Sequence, residues 1–319
     1  MSTKPVFVIG DANVDLTFWK RSAAHTQASN APVEVVRGGA GANTAVALAR
    51  QGLGVSFSGM VGDDSFGRLI RGDLERERID TASLLVHPVR STMLVIYAID
   101  EAGALWSNAV HPALTESALF DLAPGHIPPG RVEEAAWVHV AGFMLLRAPL
   151  RDTVLSVLER ARQAGVPASL DLNLRGLDQG EPAGFRAALD RAISLAAVVL
   201  GSASDEFSTL VAGLSAEDAA RQLVSEGRTV VLRMAERGAM ALTPGGSARA
   251  EAFPVQVVSP IGAGDAWNAG YIAARLDGAD EQAALRRGNA TAALRIGRPG
   301  AVGAPTAAEV DALLDSWGV

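Results

Sequence analysis

Gly38-Gly39-Ala40-Gly41-Ala42-Asn43-Thr44-Ala45 joins a strand-like run, Val33 to Val36, to an amphipathic helical run, Gly41 to Gln51. Paired glycines between strand and helix allow a tight packing turn. They equally let a ligand approach the backbone beside the free amides of a helix start. Both readings stand here, and Asn43 on the first turn could hydrogen-bond a hydroxyl. The same order of short apolar run and amphipathic helix recurs along the chain. Val6 to Ile9, Val55 to Met60, Ala136 to Val140, Ala168 to Leu172, Ala197 to Leu200 and Thr229 to Leu232 read as buried strands. Ser65 to Arg78, Leu150 to Gln163, Phe185 to Leu195 and Ala216 to Glu226 read as helices between them. Three more, near Ala263 to Leu276, Glu281 to Arg295 and Ala307 to Ser316, close the chain. Such alternation predicts an α/β fold with a mostly parallel sheet covered on both faces.

Two stretches break the alternation. Val14 to Trp19 and Val33 to Val36 flank a polar loop, Arg21 to Pro32, and Thr92 to Ile99 and Ala104 to Val110 flank the turn Asp100-Glu101-Ala102-Gly103. These pairs predict a small extra sheet. Its apolar residues Phe18, Trp19 and Trp106 would either be covered by a ligand or partner subunit, or pack on the main body.

The 319 residues are 49% hydrophobic and 20% charged, which excludes wholesale disorder. The chain has no cysteine, so disulfides, thiolate nucleophiles and cysteine-held zinc are excluded. Net charge is −7 and the two lysines are Lys4 and Lys20, so cations are almost all scattered arginines. No basic stripe invites nucleic acid or an anionic membrane. Met1 to Pro5 runs straight into strand-like residues without a signal-peptide core, and no apolar run approaches ~20 residues. A cytoplasmic protein is expected.

Several chemistries lack their residues. There is no G-x-x-x-x-G-K-[ST], no G-x-S-x-G, and no full G-x-G-x-x-G after the first strand. His25, His87, His111, His126 and His139 have no metal-ligand spacing, and His139, in a strand-like run, reads as a hydrogen-bonded structural residue. One further glycine-rich segment remains: Gly262-Ala263-Gly264-Asp265-Ala266-Trp267-Asn268-Ala269-Gly270, after Val255 to Val258. Small residues ahead of a helix leave amides free for a transferring phosphoryl group. Asp265 at that mouth could take a proton from an attacking hydroxyl, or could be an ordinary helix-capping carboxylate.

Taken together, these segments resemble the ribokinase-like (PfkB) family of sugar and nucleoside kinases over essentially the whole chain. Gly38 to Ala45 with Leu48-Ala49-Arg50-Gln51-Gly52 is similar to the N-terminal signature. Gly59-Met60-Val61-Gly62-Asp63-Asp64-Ser65-Phe66-Gly67 is similar to the loop that follows it, Asp171-Leu172-Asn173-Leu174-Arg175 to a D-x-N-x-R element, and Gly262 to Gly270 to the C-terminal signature. The resemblance implies one ribokinase-like domain over 1–319: a three-layer α/β/α sandwich with a mostly parallel central sheet and a β-sheet lid from about 12–37 and 90–111. It implies an ATP-dependent kinase acting on a primary hydroxyl. Asp265 would be the general base, and Gly262, Ala263, Gly264 and Asp265 would form the anion hole. Asn13, Asp15, Gly38, Gly39 and Asn43 would grip the substrate. Arg233, Ala235, Gly238, Gly264 and Asn289 would bind nucleotide, and Glu206 would organise Mg²⁺ through water. A homodimer through edge-to-edge pairing of the lids is also implied.

The chain departs from the family pattern in three places. Ser259-Pro260-Ile261 stands where D-T-x precedes G-A-G-D, which weakens a monovalent-cation site. Ala203-Ser204-Asp205-Glu206 stands for N-x-x-E. Arg233-Met234-Ala235-Glu236-Arg237-Gly238 stands for T-x-G-x-x-G, so Arg233 either contacts ATP phosphates directly or is salt-bridged away from them. Asp15 and Asn43 suit the vicinal hydroxyls of a sugar. A nucleoside would want a stacking surface such as Trp106 or Phe143, and Ser259 and the Ala12 to Asp15 run lean that way. A non-catalytic binding protein on the same fold, and a nicotinamide-dependent oxidoreductase, are the readings outside this class.

Overall fold

The computed structural model describes residues 4–19, 33–99, 105–174, 181–211, 213–298 and 303–318. The loop Arg21 to Pro32, the turn Asp100 to Gly103 and Arg175 lie outside the described residues, as do the side chains of Trp19 and Trp106. In chain order the elements are β1 (Val6–Ile9), β2 (Asn13–Trp19), β3 (Val33–Gly38), α1 (Ala40–Arg50), β4 (Val55–Gly62), α2 (Ser65–Arg76), β5 (Asp80–His87), β6 (Leu94–Ile99) and β7 (Leu105–His111). There follow β8 (Trp137–Ala141), α3 (Leu150–Gln163), β9 (Ala168–Asp171), α4 (Phe185–Leu195), β10 (Val198–Ser202), the short α5 (Ser208–Leu210), α6 (Ala216–Leu223), β11 (Thr229–Arg233), β12 (Ala239–Thr243) and β13 (Gly246–Ala250). Helices α7 (Ala263–Leu276), α8 (Glu281–Ile296) and α9 (Ala307–Ser316) complete the chain.

A nine-stranded sheet runs β13-β12-β11-β10-β9-β8-β1-β4-β5. Its strands are parallel except that β12 is antiparallel to both β11 and β13. Strand β1 shows how the sequence builds three layers. Its side chains alternate faces with the period of a strand. Phe7 and Ile9 join a core with Leu150, Val154 and Leu189 of α3 and α4. Val6 and Val8 join another with Ala45, Leu48 and Tyr271 of α1 and α7. Helices α2 and α8 start on side-chain caps: Asp64 accepts from Gly67 N at 2.8 Å and Asp280 from Ala283 N at 2.8 Å.

Three strands escape the apolar-run reading. β5 (Asp-Thr-Ala-Ser-Leu-Leu-Val-His) mixes polar and apolar residues, β12 is alanine-rich and β13 is a polar edge strand. Helix α6 ends at Leu223 rather than at Glu226, because Ser225 bridges to Arg228.

The second sheet has the order β3-β2-β6-β7, with β2 parallel to β6 and the other pairs antiparallel. Phe18 lies opposite Val33 and Leu16 opposite Val35 across β2 and β3. That outer face leaves Phe18, Val33 and Val35 exposed, whereas Asp15, on the other face of β2, is buried.

Candidate active site

Strand β1 is flanked by β8 on one side and β4 on the other, so the chain order reverses there. Ligands of open α/β sheets bind beyond the carboxyl ends of the strands at such a point. The segment leaving β1 reaches the start of α1. Asp11 accepts hydrogen bonds from Ala40 N at 2.9 Å and Gly41 N at 2.8 Å, and its carbonyl accepts from Ala42 N at 2.9 Å. The first amides of α1 are therefore satisfied by Asp11 and are not a cradle for an anion. Gly39, at φ 97°, has no side chain to cap the helix, and Asp11 does this from a distant part of the chain.

Asn13 donates to Asp15 Oδ1 at 2.6 Å, and both side chains are buried. A Cβ on Gly38 would fall 2.4 Å from Asp15 Oδ2, so glycine leaves the room that Asp15 occupies. Across the site, Asn43 Nδ2 donates to Asp265 Oδ2 at 3.1 Å, while Asn43 Oδ1 accepts from Arg37 Nη1 at 2.8 Å. Asn43 N–H donates to Gly39 O at 2.8 Å, so Asn13, Asp15, Gly38, Gly39, Asn43 and Asp265 lie along one connected chain of contacts.

Gly262 caps α7 in the left-handed region (φ 75°, ψ 9°), which favours glycine. Asp265 follows in the first turn, 9% exposed. Ala263 N donates to Pro260 O at 3.3 Å and Ala266 N to Gly262 O at 3.0 Å. Ala263 N–H is therefore already engaged, and Gly264 N–H is one of the helix-start donors that no preceding turn of α7 can satisfy.

Arg233, at the end of β11, clamps Asp171, at the end of β9, with two bonds of 2.9 and 2.8 Å. Its Nη1 also reaches Asn268 Oδ1 at 2.8 Å and Gly264 O at 3.3 Å. Asn268 Nδ2 closes the network on Asp171 Oδ2 at 2.6 Å. The guanidinium is thus held by protein groups under the start of α7 rather than left free for a phosphate. Burial would weaken its hold on a proton, but the Asp171 carboxylate overrides this and raises its pKa. Burial would raise the Asp171 pKa, yet Arg233 and Asn268 hold it below the ordinary carboxylate value.

Glu206 lies 3.7 Å from Arg233 Nη2 and accepts from Ser202 N. Burial first, then the Asp171 charge, pushes its carboxyl upward. Ala235 takes φ 50° and Gly238 φ 77° in the β11–β12 loop. Asn289 accepts from Trp267 Nε1 at 2.8 Å and donates to Ala250 O at 3.1 Å and Glu251 O at 2.9 Å, so the protein itself uses its carboxamide. His139 is buried against Ser169 Oγ at 2.8 Å, as a structural residue would be.

The model of the pfkB family of carbohydrate kinases matches residues 3–307. The chain belongs to this family. A fructokinase of Klebsiella pneumoniae is 34% identical to this kinase over 278 residues, 84% of this chain and 83% of the other. An ATP-dependent ribose-1-phosphate kinase of Halopiger xanaduensis is 33% identical over 283 residues, 87% and 86% of the two chains. The structure of a Xylella fastidiosa fructokinase with bound ATP superposes with a TM-score of 0.86 at 25% identity over the full length of both chains. The kinase accordingly has the ribokinase fold, with a small β-sheet beside the mostly parallel one.

Sequence reasoning missed Asp11, Arg37 and Arg295 near this centre. No local signal marks them, because each reaches it through tertiary packing. Among the described residues no helix is long and apolar enough to cross a membrane.

Proposed function

We propose that this kinase transfers the γ-phosphoryl group of ATP to a primary hydroxyl of a sugar or sugar-like small molecule, with Asp265 as general base. One observation carries the reading: Asp265 stands in the first turn of α7 beside Gly264 N–H, with one carboxylate oxygen held by Asn43. Asp265 would take the acceptor's proton as its oxygen forms a bond to the γ-phosphorus and the bond from that phosphorus to the β–γ bridging oxygen breaks. Backbone donors at the start of α7, led by Gly264, would face the charge on the phosphoryl oxygens. Asn13, Asp15, Gly38, Gly39 and Asn43 would bind acceptor hydroxyls. The β11–β12 loop with Ala235 and Gly238 would line the nucleotide, with Arg233 acting through Gly264 and Asn289 through the loop after β13.

Asp171 is taken up by Arg233 and Asn268, so Glu206 is the carboxylate of this network whose hard oxygen atoms fit Mg²⁺. Glu206 would hold the ion through water, and bound Mg²⁺ would neutralise phosphate charge. The exposed outer face of the small sheet, with Phe18, Val33 and Val35, supports a homodimer through the lids. Sedimentation at micromolar concentration would then show a dimer, and a monomer would contradict it.

ADP release with ATP, Mg²⁺ and a mixed panel of sugars and nucleosides tests the reading. Turnover with a sugar that has a primary alcohol, ketohexoses included, is the expected result. Turnover with nucleosides alone moves the substrate class to the alternative, and no ADP release with any acceptor overturns the kinase proposal.

A further inference from the structure

Arg295 heads the fully buried side chains by size, at 1% exposure, yet phosphoryl transfer as described above does not use it. It stands in the last turn of α8. Its guanidinium meets two segments. A Cβ on Gly262, the cap of α7, would lie 3.4 Å from Arg295 Nε. On the other side Nη1 donates to Arg298 O at 3.3 Å, and a Cβ on Gly303 would lie 3.9 Å from Nη1. A small cavity lined by Arg37, Asn43, Gly262, Ala266, Arg295 and Gly303 brings this charge and Asn43 to one space, and Asp265 Oδ2 lies 3.9 Å from the same Gly262 Cβ position. Burial weakens the hold of Arg295 on its proton and the Asp265 charge opposes that effect, so the two groups share one field. A guanidinium nevertheless stays charged in a protein. Burying such a charge is costly, and an apolar side chain would fill the same space without that cost.

We propose that Arg295 is a resident cation of the anion hole. It is a positioning residue: it packs the cap of α7 against Arg298 and Gly303, and it fixes a positive charge beside Gly262 and Asp265. The site then needs no alkali-metal ion at this place. Ser259, which puts an uncharged side chain just ahead of the anion hole, agrees with this, because a free cation there would find no carboxylate at position 259 and would face a guanidinium. The catalytic half of the proposal rests on the kinase reading, and the electrostatic half does not.

Thermal unfolding of the wild-type protein in KCl, NaCl and choline chloride at equal ionic strength tests the electrostatic half without any turnover. The same melting temperature in all three salts is expected. A rise specific to K⁺ or Na⁺ reveals an alkali-ion site and overturns the proposal. Steady-state kinetics of Arg295→Lys and Arg295→Met tests the catalytic half. Loss of a preorganised charge predicts that Met lowers kcat about tenfold or more while KM for the sugar changes far less, and that Lys restores most of kcat. A folded Met variant with wild-type kcat, or a Lys variant as slow as a folded Met variant, overturns it. Should Met not fold, a Lys variant with wild-type kcat in choline chloride supports the proposal, and one that turns over only when K⁺ or Na⁺ is added contradicts it. Absence of ADP release from the wild-type protein with every acceptor would defeat the kinase reading, and the melting comparison would still judge the cation.

Discussion

Asn43 and Asp265 meet across 222 positions of sequence, with the carboxamide of α1 donating to the carboxylate of α7 at 3.1 Å. Because Arg37 holds the other end of that carboxamide at 2.8 Å, its orientation is fixed: oxygen to Arg37, nitrogen to Asp265. The contact leaves Asp265 with one oriented oxygen and sets its rotamer in the first turn of α7. Asn43→Ala removes the orienting donor and leaves Arg37 with a lost partner. Turnover is expected to fall about tenfold or more, with a smaller loss of stability, as read by steady-state kinetics and urea unfolding. Turnover at the wild-type level would separate Asn43 from the chemistry.

In the bidentate pair of Arg233 and Asp171 the carboxylate is buried and the guanidinium is 15% exposed, so removing one partner strands the other. Arg233→Met is expected to destabilise the protein by about 3–5 kcal/mol. Combining it with Asp171→Asn should recover much of that loss, and a double-mutant cycle in chemical denaturation measures the recovery. Arg233→Ala that left KM for ATP and kcat unchanged would sever the pair from the nucleotide site altogether.

Ala235 holds φ 50° at the position where the family pattern has glycine. A left-handed conformation costs a residue with a Cβ about 1 kcal/mol or slightly more. Ala235→Gly should therefore raise stability by up to about 1 kcal/mol, less whatever glycine loses in chain entropy. A lower melting temperature in that variant would contradict the strain.

Burial lowers the His139 imidazole from 6.5 to about 4, aided by Arg233 and opposed by Asp171. Below pH 6.5 the unfolded chain binds a proton that the folded chain refuses. The stabilisation from neutral His139 is thus complete above about pH 6.5 and falls as pH drops toward 4, by about 3 kcal/mol in all. Urea unfolding between pH 4.5 and 7.5 should show this slope, and His139→Gln should flatten it.

How far the sequence could be read depended on how local each signal was. β1 is a continuous apolar run and β8 is broken only by His139, so their place in a buried parallel sheet is written in their composition. β12, Ala-Met-Ala-Leu-Thr, is strand only because β11 and β13 offer it hydrogen-bonding partners. The residue types around Asp265 and Asn43 were legible, because glycines at helix starts mark both segments. The work of Asp11 was not, since it caps a helix 29 residues away. Arg37 and Arg295 look like surface arginines in one dimension, and only the packing of α1, α7 and α8 buries them.

Replacing Asp265 by asparagine keeps the shape of that side chain and removes its ability to accept a proton. With a sugar acceptor, ATP and Mg²⁺, the Asp265→Asn enzyme should lose about a hundredfold or more in kcat, while acceptor binding by calorimetry stays near that of the wild type. A variant that turns over as fast as the wild type would contradict a base at Asp265.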